Sequence, residues 1–171
     1  MKIIGSICII TASTLMGFSY SGHLAGRITD LRLVHRLLLM LRGEVEYASS
    51  TFSEAFSSMR GRFEEPWKGF LTEVSVRLDS LEGQTFGTIW KEMVVLHLSD
   101  CDLTSKDIEL LVQFGDQMGY LDKTMQLNTI DSYSNQISEE IKTLQSQLPV
   151  KCRLYNTLGI MGGIFLTIVI L

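Results

Sequence analysis

Cysteine is scarce in this chain and falls in no metal-binding or disulfide pattern. Three cysteines occur in 171 residues, Cys8, Cys101 and Cys152. An odd count without a CxxC pair argues against a disulfide framework and against a zinc site. Three reduced thiols suit a cytosolic domain. Histidine is equally rare, and His23, His35 and His97 share no metal-ligand spacing such as HExxH. Each is read as structural, because histidine is ordinarily semi-buried or surface-placed. There is no Walker phosphate loop, no GxGxxG and no GxSxG. Any ATP-driven step must therefore be powered by a partner. Clustered basic residues are missing too. Fifteen lysines and arginines face nineteen acids, a formal charge of −4. Phosphate neutralisation needs grouped positive charge, so nucleic acid is not an expected partner. No segment has the strict alternation or turn chemistry of a β-hairpin. No internal repeat and no low-complexity linker is present.

Charge is also missing from the ends. Leu154 to Leu171 carry none, and the first twenty-four residues carry only Lys2. An apolar stretch of about 18 or more residues can cross a bilayer core as a helix. Residues 1–24 and 154–171 are thus expected transmembrane helices in a lipid bilayer, with residues 25–153 forming a domain between them. Met1-Lys2 and the apolar run after it also resemble a secretory signal peptide. The run is longer than a usual h-region, so an uncleaved helix is the expectation. Removing the ends leaves about 130 residues, enough for one domain with a core. Fourteen basic residues against nineteen acids give that domain a formal charge of −5. Arg27, Arg32, Arg36 and Arg42 follow the first span, and Lys142, Lys151 and Arg153 precede the second. That bias puts the central domain in the cytoplasm and both termini outside. The same arginines Arg27, Arg32 and Arg36 are suited to anionic headgroups, although fixing topology is the simpler task.

The middle reads as helical throughout. Leu31, Val34, Leu37, Leu38, Leu41 and Val45 make one helix face over residues 28–48, and no proline separates this helix from the first span. Thr51 with Glu54 fits a capping box for a short helix to Met59, ended by Gly61. Pro66 suits the first turn of a third helix bearing Phe70, Leu71, Val74, Leu78 and Leu81, stopped near Gly83. Phe86, Trp90, Met93, Val94 and Leu98 mark a fourth helix. Thr104 with Asp107 resembles a weaker cap before Ile108, Leu111, Val112, Phe114 and Met118 on a fifth, closed by Gly119. The sixth carries Met125, Ile130, Tyr133, Ile137, Ile141, Leu144 and Leu148, a stripe expected to face its own core rather than a partner. Pro149 is expected to break it before the second span. The fold class is therefore all-α, a bundle of about six helices with short connections, flanked by the two transmembrane helices.

Few residues suggest chemistry. Asp100, Cys101 and Asp102 look like a ligand cluster and equally like a polar loop. An EF-hand needs a glutamate twelve places on from its first ligand, where this chain has Leu111. Glu44 and Glu46, two apart, point to different sides of a helix and make no acid/base pair. No metal and no cofactor is expected. In the spans, Gly159 and Gly163 form GxxxG, with Gly162 adjacent, and Ser13 with Gly17 and Gly22 with Gly26 share that spacing. Small residues four apart let helices approach closely in lipid, within one chain or in a homo-oligomer. Glycine is also simply frequent in membrane helices.

These residues together resemble the stage III sporulation protein AB family of endospore-forming bacteria. The likeness runs nearly end to end. It includes Gly17-Phe18 closing the first span, and LRGEVEYASSTFSEAF from Leu41 to Phe56 with Glu44, Tyr47 and Ala55 in the family's places. Its most specific part is QFGDQMGYLDKTMQLNTI, Gln113 to Ile130, with Phe114, Gly115, Gly119, Asp122 and Gln126 around a helix break. KCRLYNTLGIMGG, with Tyr155, Leu158, Gly159 and Gly162–Gly163, is similar to the family's end. Met118, Tyr120 and Pro149 depart from the pattern. The resemblance implies a domain like one cytoplasmic repeat of the platform proteins of type II secretion and type IV pilus systems. It implies a non-catalytic platform in the mother-cell membrane around the forespore. Its partners would be an ATPase of the stage III sporulation protein AA family and the proteins of a channel between the two cells. Phe114, Gly115, Gly119, Asp122 and Gln126 would then be a partner surface or a structural bend. In the bend, Asp122 would cap the sixth helix and Gly119 would supply a positive φ. Two other readings remain: a passive membrane tether for a soluble partner, and a membrane-anchored enzyme using His97, Asp100 and Asp102.

Overall fold

Apolar spacing of three and four becomes helix faces that meet. The computed structural model describes residues 2–48, 51–80, 83–119 and 122–170. Within its helices, the side chains of residues 2–18, 20, 48, 156, 159, 160, 163, 164, 166, 167, 169 and 170 fall outside the description. The described elements are α1 (Lys2–Gly43), a π-helical turn (Glu44–Ala48), α2 (Phe52–Met59), a 3₁₀ turn (Arg60–Arg62), α3 (Trp67–Asp79), α4 (Phe86–Leu98), α5 (Ser105–Met118) and α6 (Lys123–Ile170). Among the described residues there is no strand. The chain divides into two compact units, Asp30–Glu140 on one hand and Met1–Thr29 with Ile141–Leu171 on the other.

Unit Asp30–Glu140 holds most of the buried core. The α1 face buries Leu31, Val34, Leu37, Leu38 and Leu41. Helix α2 packs on α3, α3 on α4 and α4 on α5 in chain order. Several helix starts are tied locally. Thr51 Oγ1 accepts from the Glu54 N–H while the Glu54 carboxylate accepts from the Thr51 N–H, the reciprocal cap its sequence predicts. Thr104 and Asp107 do the same for α5, so the cap expected to be weak is complete. Thr85 caps α4 through the Thr88 N–H. Gly83 has φ 74° after α3, where a glycine bears no Cβ penalty. Gly61 falls inside the 3₁₀ turn instead of closing α2, because the chain tightens rather than reverses there.

Aromatic rings fill the centre of this unit. Trp90 is the hub, with ring centroids 5.7 Å from Phe56, 5.0 Å from Phe70 and 5.6 Å from Phe114. Phe114 in turn meets Tyr133 of α6 at 5.3 Å. Such tilted and edge-on pairs favour the ring quadrupoles as well as burying area. The α6 stripe behaves as a core face over Ile130, Tyr133 and Ile137, whereas Met125 is exposed. Arg42 of α1 donates to Asp131 of α6 at 2.7 Å and also pairs with Glu46.

The other unit contains the two chain ends. Among its described residues Ile28, Ile141 and Leu144 are buried. Leu154, Leu158, Met161, Phe165 and Ile168 are exposed and recur at steps of four and three, so they lie in one apolar row on α6. Pro149 does not break α6, contrary to its sequence expectation: the helix runs through it to Ile170. Proline removes one hydrogen bond to the carbonyl four residues back. Both Pro149 and Gln145, whose carbonyl loses its bond, are exposed residues. Among the described residues no helix is long and apolar enough to cross a membrane. Most side chains of residues 1–24 and many of 154–171 lie outside those residues.

Candidate functional site

The end of α5, Phe114–Gly119, and the start of α6, Asp122–Gln126, carry the predicted site residues, each with a definable contact. Phe114 is fully buried between Trp90 and Tyr133. Gly115 permits the closest approach in the unit. A Cβ on it would lie 2.2 Å from Trp90 Cδ1 and 2.6 Å from Cγ, well inside contact distance. Gly87 on α4 faces the same crossing, where a Cβ would stand 2.8 Å from Asp116 Oδ1 and 3.1 Å from Asp116 Cα. Two glycines on facing helices thus bring α4 and α5 together. The Trp90 indole N–H then donates to the Leu111 carbonyl at 2.7 Å, satisfying a buried donor.

Asp122 begins α6. Its Oδ1 accepts from the Met125 N–H at 2.8 Å, the geometry of an N-cap, and its carbonyl accepts from the Gln126 N–H. Gln126 Nε2 donates to the Met118 carbonyl at 3.5 Å, a long bond that meets an open end of α5. Gly119 does not supply a positive φ, as expected from its place at the break. It has φ −69° and ψ −18°, an ordinary helical conformation. Its nearest would-be Cβ contact is Phe86 Cβ at 3.5 Å, which is normal packing. Tyr120 and Leu121 lie outside the described residues.

The acidic loop after α4 has a different arrangement. Asp30 of α1 accepts from the Asp102 N–H at 2.9 Å. Burial raises the Asp30 carboxyl above its ordinary value, and this backbone bond partly opposes the rise. The buried Trp67 indole N–H has no partner in hydrogen-bond geometry, yet lies near enough to Asp30 to favour its charge. Cys101 sits among Asp30, Asp100 and Asp102, and burial first, then those charges, push its thiol up to about 11. Such a thiol is protonated at neutral pH and is a poor nucleophile. His97 turns away to α3, its Nε2 2.9 Å from Glu73 Oε2. Among the described residues no three His, Cys, Asp or Glu side chains are arranged to hold a metal ion. Glu44 accepts from Ser58 at 2.9 Å while Glu46 pairs with Arg42, so the two carboxylates serve separate partners.

The glycine pairs of the spans are only partly visible. Gly159, Gly163, Ser13 and Gly17 lie on α6 and α1, but what surrounds them is outside the described residues. Gly22 is exposed, with nothing within 4 Å of a would-be Cβ. Sequence reasoning named Arg32 and Arg36 on the outer face of α1 but not the exposed Leu39 of that face. Its signal was available, because Arg32, Arg36, Leu39, Met40 and Gly43 follow one another at helical steps opposite the buried stripe.

The chain is similar to known proteins. The family model described as stage III sporulation protein AB matches residues 2–171. The stage III sporulation protein AB of Bacillus subtilis (strain 168) is 22% identical over 172 residues, covering 100% of this chain and 99% of that protein. A solved structure of stage III sporulation protein AB superposes with a TM-score of 0.66 at 19% identity, covering 72% of this chain and 96% of the solved one. At that identity the superposition speaks for the fold alone. The whole-length family match carries the assignment: this chain belongs to the stage III sporulation protein AB family.

Proposed function

We propose that the chain is a non-catalytic membrane platform of a sporulation channel complex. It spans the mother-cell membrane around the forespore twice, holds its helical domain in the cytoplasm, and docks there an assembly ATPase of the stage III sporulation protein AA family. The observation that carries this reading is the family match from residue 2 to residue 171. Two features support it. The uncharged C-terminal stretch presents the exposed row Leu154, Leu158, Met161, Phe165 and Ile168, which suits lipid far better than water. Of His97, Asp100 and Asp102, the residues of the enzyme reading, His97 pairs with Glu73 of α3 and Asp102 donates its backbone N–H to Asp30. The step from family to platform and ATPase rests on likeness to secretion platforms.

The test is a pull-down from sporulating-cell membranes with a tag on the central domain, followed by mass spectrometry. The platform reading expects the ATPase together with channel proteins. Channel proteins without a detectable ATPase would favour the passive tether. Recovery of the protein in the soluble fraction would contradict both.

A further inference from the structure

We draw no further inference here: the strongest candidate, the hollow of about 720 Å³ on the outer face of α4 lined by Arg77, Lys91, Glu92, Val95, Leu96 and Asp116, carries nothing, because its charges are of both signs and nothing in the structure shows what covers it.

Discussion

The indole N–H of Trp90 donates to the backbone carbonyl of Leu111 at 2.7 Å, across a helix pair that only glycine can bring so close. The bond and the aromatic cluster depend on Gly115 lying under the same ring. Gly115→Ala sets a methyl 2.2 Å from Trp90 Cδ1, so the ring or the helices must move. The expected cost is about 1–3 kcal/mol, as for other overpacked cores. Thermal unfolding of the full chain in detergent, followed by circular dichroism, checks it. Gly43→Ala is the contrast, since its Cβ meets nothing and it ends a helix. It should be neutral or stabilising by up to about 1 kcal/mol.

Asp122 separates a capping role from a partner contact. Its Oδ1 accepts from the Met125 N–H at 2.8 Å. Asp122→Ala should destabilise the protein by about 0.5–2 kcal/mol, and Asp122→Asn by much less, because asparagine also caps. Unchanged stability in the alanine variant with lost sporulation would instead assign Asp122 to a partner surface.

Cys101 gives a pH signature. Its thiol is raised from 9.0 to about 11 in the fold. Above pH 9 the unfolded chain loses this proton while the folded chain keeps it, so the unfolded state binds fewer protons. Stability therefore falls as pH rises from 9 to about 11 and is unaffected by this group below 9. Cys101→Ser should flatten that part of the pH–stability curve. Asp30→Asn, by removing a neighbouring negative charge, should speed alkylation of Cys101 by iodoacetamide at pH 8, read by mass spectrometry.

The small-residue faces of the ends invite a separate check. If Gly159 and Gly163 mediate helix packing in lipid, changing both to leucine should reduce any oligomer captured by cross-linking. Unchanged cross-linking would exclude these positions from the contact.

Much of the helical plan was legible because its signals are local. Thr51 with Glu54 and Thr104 with Asp107 are caps that need no distant residue, and both form. Leu31, Val34, Leu37, Leu38 and Leu41 are one face by spacing alone, and all are buried. What failed to show depends on surroundings. Pro149 reads as a break, yet the helix continues through it along an exposed stretch. Gly119 reads as a left-handed stop, yet keeps a helical φ, while Asp122 and Gln126 serve the helix ends on either side. The indispensable glycine proved to be Gly115, a few residues earlier, because only the packed α4–α5 pair places Trp90 above it. Arg36 and Phe63 are likewise distant in sequence and meet only in the fold, with the guanidinium 5.3 Å from the ring centroid.

Docking of an assembly ATPase by the central domain, as proposed, is tested most directly by co-sedimentation of a purified ATPase of the stage III sporulation protein AA family with liposomes carrying the full chain. The account predicts that the ATPase pellets with these liposomes and stays in the supernatant with empty ones. An ATPase that stays in the supernatant in both cases, with the chain correctly inserted, would contradict it.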